Sequence, residues 1–409
     1  MLKLITLILA GVFLTIGTVQ AQYKIVDEVV TNDTIPASED VTNMAYAIVG
    51  DTLFHGRKIA DRKIVITGYR LSSGMSFYKD TIAGLPRSFR FIDISFSANN
   101  LLITDYNSYL SIALDKHRAP LYKGISPVRE GAPVFRNCSF LSDSVALLYI
   151  VYNFHPKTRA AGLYLNLLNV NTNEFIKKEY FPFPGVSMAQ VSRSWVTVAN
   201  DKIYAVSPLS GVLFEFDKSL KLVGSKTMSL FDDKTREQNI GFEQYLDSSA
   251  VAYRQQVLSG NSEKEPQLAG IKSKTYSLID TLSKSFTYIE RIFPYNKDYI
   301  GVSVSNYEYD NKYKDFFVVD THGNIIKEIK KWNYSVSPYI TKPEELFPVD
   351  INREKNYFPY FQDGFIYTGS LYNYSLFLQG SVNDVTENIF KKTAQNGYVW
   401  SILKYKIEQ

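Results

Sequence analysis

The 409-residue sequence contains a single cysteine, Cys138, which excludes an intramolecular disulfide. Its four histidines follow no zinc-binding spacing such as H-E-x-x-H, and glycine-rich phosphate loops are missing. The nearest matches to the G-x-S-x-G nucleophile elbow, at Gly185–Ala189 and Gly301–Ser305, lack the second glycine. These absences argue against serine-hydrolase and nucleotide-binding chemistry, and we predict neither a metal site nor a cofactor.

A strong excess of charge of one sign is also lacking. The 45 Lys and Arg residues nearly balance the 41 Asp and Glu residues, which gives a formal net charge of +4, and no block of like charges stands out. Proteins that bind nucleic acid or acidic polymers usually carry such blocks. Nucleic acid is therefore not a predicted partner.

Long hydrophobic runs are confined to the N-terminus. Lys3 precedes an apolar stretch, and the small residues Val19 and Ala21 have the placement expected before a signal-peptidase cleavage site. We predict a signal peptide at residues 1–21, with an uncleaved membrane anchor as the alternative. The stretch is short for a spanning helix, which needs about 20 residues. We therefore expect a secreted, periplasmic or cell-surface protein with no membrane span after cleavage.

Helical periodicity is scarce, and the one convincing helical candidate is Val382–Asn396. Runs of Val, Ile, Phe, Tyr and Thr dominate instead, bounded by Gly, Pro, Asn, Asp and Ser, as in strands and turns. The 30 tyrosines and 26 phenylalanines also favour half-buried sheet surfaces. The composition indicates an all-β protein.

A repeated pattern of β-rich runs and polar turns is clearest at Asn200–Met228, and it recurs from Asn99 and from Tyr299. An all-strand repeat of roughly 45–60 residues is typical of a β-propeller, in which each repeat forms one four-stranded blade. We predict a single propeller of seven blades over residues 43–409, with six blades as the alternative. The second strands of these blades are expected within Ala45–Ile82 and at Leu101–Thr104, Ala146–Tyr152, Lys202–Val206, Ala250–Tyr253, Tyr299–Val304 and Gly364–Gly369.

The two ends of the chain are expected to meet. Gly397–Ile407 has the composition of the outer strand of the last blade, and Gln22–Val30, within an N-terminal segment at residues 22–42, can lie beside it and latch the ring.

An Asp or Asn recurs after the third run of several repeats. Such short acceptor side chains satisfy backbone N–H groups in tight turns, so we assign them to turns rather than to catalysis or metal binding. The positions are Asp115, Asn171, Asp217, Asp280 and Asp320.

The loops between second and third strands, and the loops between blades, share one face of a propeller, where ligands usually bind. These loops combine tyrosine, arginine, lysine and asparagine, which suit the surface of a sugar or of a partner protein. The candidate ligand-binding residues are Arg129, Arg159, Arg254, Tyr307, Tyr309, Asp310, Trp332 and Tyr372. The alternative is a carbohydrate-active enzyme that uses carboxylates in the central channel.

The Asn200–Met228 repeat resembles those of secreted bacterial propellers of the NHL, TolB-like and six-bladed type. This resemblance implies the fold and an export route only. We therefore expect an exported binding or scaffolding module for a protein or a glycan. The sequence does not indicate a catalytic residue or an oligomeric state.

Overall fold

The computed structural model describes residues 22–30, 35–36, 44–60, 62–85, 93–105, 109–114, 120–126, 137–152, 162–184, 195–258, 285–296, 298–309, 314–332, 360–362, 365–373 and 397–408. The predicted signal peptide and the predicted helix at Val382–Asn396 lie outside these residues, as do three of the candidate site residues, Arg129, Arg159 and Asp310.

The described part of the chain is mostly β, as predicted, with one helix, α1 (Asp233–Leu258). The strands are β1 (Gln22–Val30), β2 (Ile35–Pro36), β3 (Met44–Val49), β4 (Thr52–Ala60), β5 (Lys63–Arg70), β6 (Ser76–Ala83), β7 (Asp93–Phe96), β8 (Asn100–Thr104), β9 (Tyr109–Leu114), β10 (Pro120–Ser126), β11 (Asn137–Phe140), β12 (Val145–Tyr152), β13 (Gly162–Asn169), β14 (Glu174–Phe181), β15 (Val196–Ala199), β16 (Lys202–Val206), β17 (Val212–Phe216), β18 (Leu222–Thr227), β19 (Tyr288–Pro294), β20 (Tyr299–Ser305), β21 (Lys314–Asp320), β22 (Ile325–Trp332), β23 (Tyr360–Gln362), β24 (Phe365–Asn373) and β25 (Gly397–Glu408).

The described strands form six antiparallel sheets. Five of them are simple four-stranded meanders of consecutive strands: β3–β6, β7–β10, β11–β14, β15–β18 and β19–β22. The sixth has the order β23, β24, β25, β1, and β2 also pairs with β25. The N-terminal strand is therefore outermost in this sheet, and β25 is third rather than outermost as expected from the sequence.

One predicted strand is wrong. Ala250–Tyr253 lies inside α1 instead of forming the second strand of a blade. The helix begins after Asp232, whose carboxylate accepts a hydrogen bond from the backbone N–H of Thr235 at 2.7 Å, an N-cap arrangement. Two of the four residues of the run are alanines, the strongest helix former, and so short an apolar run has no distinctive periodicity. Arg254, which follows it, is accordingly in a helix and not in a loop.

Successive sheets contact one another through their first strands. The contacts run from β3 to β7, β11, β15, β19 and β23, and β23 in turn contacts β3. The hydrophobic core lies between the sheets, in clusters that each combine residues of neighbouring sheets. The largest cluster joins β12–β13, β15–β17 and β19–β21, and includes the buried side chains of Trp195, Phe216 and Ile300.

The recurrent aspartates have the turn role predicted for them where the structure describes them. Asp217 accepts hydrogen bonds from the backbone N–H groups of Ser219 and Lys221, and Asp320 accepts from those of His322 and Asn324. In the β13–β14 turn the acceptor is Asn169, two residues before the predicted Asn171. Asp115 and Asp280 lie outside the described residues.

No helix in the part of the chain that the structure describes has the length and apolarity needed to cross a membrane.

Candidate functional site

The sheet β19–β22 presents the start of β19, the end of β20, the start of β21 and the end of β22 at one end. The register establishes this, because Tyr288 pairs with Ser305, Val304 with Asp315, and Lys314 with Trp332. We call this the loop end of the sheet, and the opposite end, with the short turns, the hairpin end. The predicted site residues Tyr307 and Tyr309 follow β20 at the loop end, and Trp332 is the last residue of β22.

The segment Asn306–Tyr309, here named the tyrosine loop, is held by the side chain of its first residue. The Asn306 Oδ1 atom accepts hydrogen bonds from the Thr287 hydroxyl at 3.4 Å and from the backbone N–H of Glu308 at 3.0 Å. Its Nδ2 atom donates to Asp315 Oδ2 at 3.3 Å, and the Tyr309 N–H donates to the Asn306 carbonyl. One asparagine therefore ties the loop to β21 and to the residue that precedes β19.

Asp315 is the buried centre of the loop end, with only 2% of its surface exposed. Its Oδ1 atom accepts from the backbone N–H of Lys331 at 2.9 Å, and the Lys330 ammonium lies 3.8 Å from Oδ2. Burial raises the pKa of the Tyr309 hydroxyl, and the neighbouring Asp315 carboxylate raises it further by charge and by hydrogen bonding. Tyr309 is therefore a neutral hydrogen-bonding group at physiological pH.

The tyrosine loop combines one exposed ring with charged neighbours. Tyr307 is 52% exposed, and its hydroxyl lies 3.5 Å from a carboxylate oxygen of Glu308. The Lys331 ammonium lies 5.8 Å from the centre of the Tyr309 ring, within range of a cation–π interaction. The exposed Tyr307 ring beside the Glu308 carboxylate can stack on an apolar surface and hydrogen-bond its polar substituents.

Helix α1 is fastened at the loop ends of two sheets by buried polar side chains. Asn239 donates to the Thr287 carbonyl at 2.8 Å and to a carbonyl of the β16–β17 turn. Glu243 accepts from the Ser207 hydroxyl at 2.5 Å, and Ser207 in turn accepts from Ser210 at 2.6 Å. Because Thr287 also bonds Asn306, a chain of hydrogen bonds connects α1 with the tyrosine loop.

Asn239 and Glu243 were not predicted as site residues, because a strand at Ala250–Tyr253 was predicted within the range of α1 and no helix was predicted before it. The cap at Asp232, followed by a stretch rich in Glu, Gln, Lys and Arg, was the signal that could have revealed this helix. Because the helix was not predicted, its buried polar residues could not be recognised as hydrogen-bonding partners of the neighbouring sheets.

A second polar cluster lies mainly on the first strands of neighbouring sheets. In a closed ring of sheets these strands would face the centre. Asp93 of β7 accepts from the Asn137 side chain at 3.2 Å and from the Cys138 N–H at 3.1 Å. Burial raises the pKa of Tyr149 on β12; the Asp93 carboxylate adds to this rise and the Arg291 guanidinium of β19 opposes it. Within the described ranges, no three His, Cys, Asp or Glu side chains are arranged to hold a metal ion.

The remaining predicted residues are distributed around the loop ends. Tyr372 is next to last in β24, at the loop end of the sheet that follows β19–β22. Arg254 lies in the last two turns of α1. Tyr307, Tyr309 and Trp332 are thus the predicted residues that the register brings to one end of one sheet.

Comparison with known proteins identifies no family. No family model matches the chain, and no curated protein matches it. Among solved structures it is similar to a protein of Bacteroides fragilis named as exported, with 9% identity, a TM-score of 0.48, and coverage of 95% of this chain and 96% of that one.

Two further solved structures show a similar degree of likeness. A member of the DUF4221 family from Bacteroides vulgatus has 12% identity, a TM-score of 0.46, and coverage of 95% and 99%. Regucalcin, a calcium-binding protein from Agrobacterium tumefaciens, has 10% identity, a TM-score of 0.40, and coverage of 95% and 95%. At these values the likenesses assign no function to this chain.

Proposed function

We propose that this protein is an exported binding module, built as a closed six-bladed propeller, that recognises a protein or a glycan with the tyrosine loop. The ring of contacts between first strands, from β3 through β23 and back to β3, supports closure. The pairing of β1 with β25 supports a latch between the two ends of the chain. The predicted leader supports export, and the Asn200–Met228 repeat resembles those of NHL- or TolB-like propellers.

The observation that carries this proposal is the exposed ring of Tyr307 on a loop fixed by Asn306. A binding surface gains affinity when its aromatic side chains are held in place before the partner arrives, because less conformational entropy is lost on association. The Asn306 hydrogen bonds provide this preorganisation, and the buried Asp315 holds Asn306 in turn.

Binding is tested with the mature protein on an array of purified glycans and with a panel of soluble polysaccharides. Tyr307→Ala is expected to reduce retention on any positive glycan at least about tenfold, as for the loss of one anchoring aromatic contact. Its thermal midpoint should match the wild type, because the ring is half exposed. The matched control is Tyr180→Ala, which removes a partly exposed tyrosine from the outermost strand β14 of another sheet.

Retention that is equal in wild type, Tyr307→Ala and Tyr180→Ala would contradict a role for the tyrosine loop. If no glycan is retained, the same variants are compared by photo-crosslinking at position 307 in cells that produce the protein. A crosslinked protein partner that disappears when the probe is moved to position 180 would support protein recognition.

The second candidate function is hydrolysis of a carbohydrate in the central channel. The observation that favours it is the Asp93 carboxylate of β7, held by the side chain of Asn137 on β11, because both are first strands that would line the channel. Glycoside hydrolysis requires two carboxyl groups about 5–10 Å apart. The test is release of reducing ends from the polysaccharide panel. Release that Asp93→Asn abolishes and Tyr307→Ala leaves unchanged would establish this function. The absence of release would exclude it for those substrates.

A further inference from the structure

The outermost strand of each of the six described sheets contains a β-bulge. At this bulge the pairing with the third strand skips one residue of the outermost strand, close to the turn that joins the two strands or at the equivalent place on β25 in the last sheet; β22 has a second irregularity at its loop end. The skipped residues are Val26, Phe77, Leu121, Ile176, Val223 and Ile326. A feature that recurs in all six described sheets, including the one formed by the two ends of the chain, is a property of the repeat.

Core packing does not explain the bulges whose extra side chain is exposed. Three of the skipped side chains are largely exposed: Ile176 by 57%, Val223 by 60% and Ile326 by 45%. The opposed residues of the third strands at two of these bulges, Phe216 and Val319, are buried. These three bulges therefore add exposed apolar surface and interrupt ladder hydrogen bonds, whereas the Phe77 ring packs partly against the core beside Phe54.

What a bulge changes is the shape of the free edge. An outermost strand presents a row of backbone N–H and C=O groups to which another chain can pair, and a bulge bends and twists that row out of register. The same strands carry lysines, including Lys177, Lys226 and Lys327, which also discourage pairing. Two independent features that oppose strand addition thus occur together.

We propose that the six bulges keep the rim of the protein from accepting a further strand, from a second copy or from another protein. Partners then bind through side chains at the loop ends and not through backbone pairing at the rim. This proposal does not depend on the identity of any ligand, because it concerns the backbone of the outermost strands.

Deletion of Val223 tests this most directly. Leu222 pairs with Phe216, and Gly224 pairs with Glu215. Removing Val223 therefore leaves a regular ladder in which all the remaining residues keep their partners and their faces. We expect the light-scattering mass of the deletion variant to rise at least about twofold over that of the wild type at equal concentration. Val223→Ser, which keeps the bulge and removes the apolar side chain, should have the wild-type mass.

A lysine on the outermost strand of the deletion variant should reverse its self-association. Ser225 is exposed on the same strand, so the deletion combined with Ser225→Lys is expected to return to the wild-type mass. A deletion variant with the wild-type circular dichroism spectrum and the wild-type mass would overturn the proposal.

Two further measurements cover the case in which this deletion prevents folding. Deletion of Ile326 makes the same change in the neighbouring sheet. The wild-type protein is also mixed with a synthetic peptide of the β17 sequence, Val212–Phe216, which could add to a free edge. No binding of this peptide is expected, and saturable binding by the wild type would overturn the proposal without any variant.

Discussion

The two ends of strand β21 carry aspartates with different kinds of partners. Asp320, at the hairpin end, accepts hydrogen bonds from the backbone of His322 and Asn324 and from the Asn324 side chain, all within four residues. Asp315, at the loop end, bonds Asn306 and Lys331, which are nine and sixteen residues away. The first carboxylate organises its own turn, whereas the second organises a site from three separate segments.

The neighbouring sheet β15–β18 shows which of the two arrangements belongs to the repeat. Its Asp217 occupies the hairpin end after the third strand with the same set of backbone partners as Asp320. At the loop end, however, the second residue of its third strand is Leu213, which is as buried as Asp315. The buried carboxylate therefore distinguishes sheet β19–β22 from its neighbour, and it lies under the tyrosine loop.

The largest effect on stability is expected from Asp315→Ala. This change removes a buried carboxylate and leaves the partly buried Lys331 N–H and Asn306 amide without their acceptor, which costs about 3 kcal/mol of unfolding free energy. Urea denaturation monitored by tryptophan fluorescence measures it. Asp315→Asn, which retains an acceptor oxygen, should recover part of the loss. If Asp315→Ala lowers the unfolding free energy no more than Asp320→Ala does, the two ends of β21 do not differ as described.

A smaller and strictly local effect is expected from Asp320→Ala. The turn loses three hydrogen bonds at an exposed position, where water replaces the acceptor, and the unfolding free energy should fall by about 1 kcal/mol. Hydrogen exchange separates the two aspartates. The Glu308 amide, which bonds Asn306, should exchange faster in Asp315→Ala and at the wild-type rate in Asp320→Ala. Faster exchange at Glu308 in both variants would contradict the separation.

The smallest effect is expected from Asp217→Asn, and it should disappear in acid. The Ser219 hydroxyl, together with the backbone N–H of Lys221, lowers the pKa of the Asp217 carboxyl below its ordinary value of 3.8. A lowered pKa in the folded state contributes stability that is present above the unfolded value and is lost as the pH falls through the folded value. The stability difference between wild type and Asp217→Asn should therefore shrink below about pH 4, as urea midpoints across this range will show. A difference that is constant with pH would exclude this linkage.

The sequence predicted those parts of the fold that depend on residues close together in the chain. Nearly continuous apolar runs specified the strands around Leu101, Ala146, Lys202 and Tyr299, because these second strands are buried on both faces. The turn at Asp320 was equally predictable, since its acceptor and its donors lie within four residues. The error at Ala250–Tyr253 arose where a short apolar run had no period of its own and its helix depended on a cap eighteen residues earlier.

The candidate site was predictable only as a location. Tyr307 and Tyr309 were singled out because their loop joins a second strand to a third strand, a position that follows from the order of the strands. The partners that fix this loop were not predictable. Thr287 and Asp315 bond Asn306, and Lys331 bonds Asp315, only when three strands are in register. The polar contacts of α1 were missed because the helix itself was not predicted.

By itself, the sequence determined the mostly β class, the repeat and the turn chemistry, because these follow from side-chain periodicity and from hydrogen bonds between near neighbours. Only the tertiary structure decided which carboxylate is buried, how α1 connects to the tyrosine loop, and where each outermost strand bulges. Burial and register are properties of segments packed against each other, so no single segment of the chain encodes them.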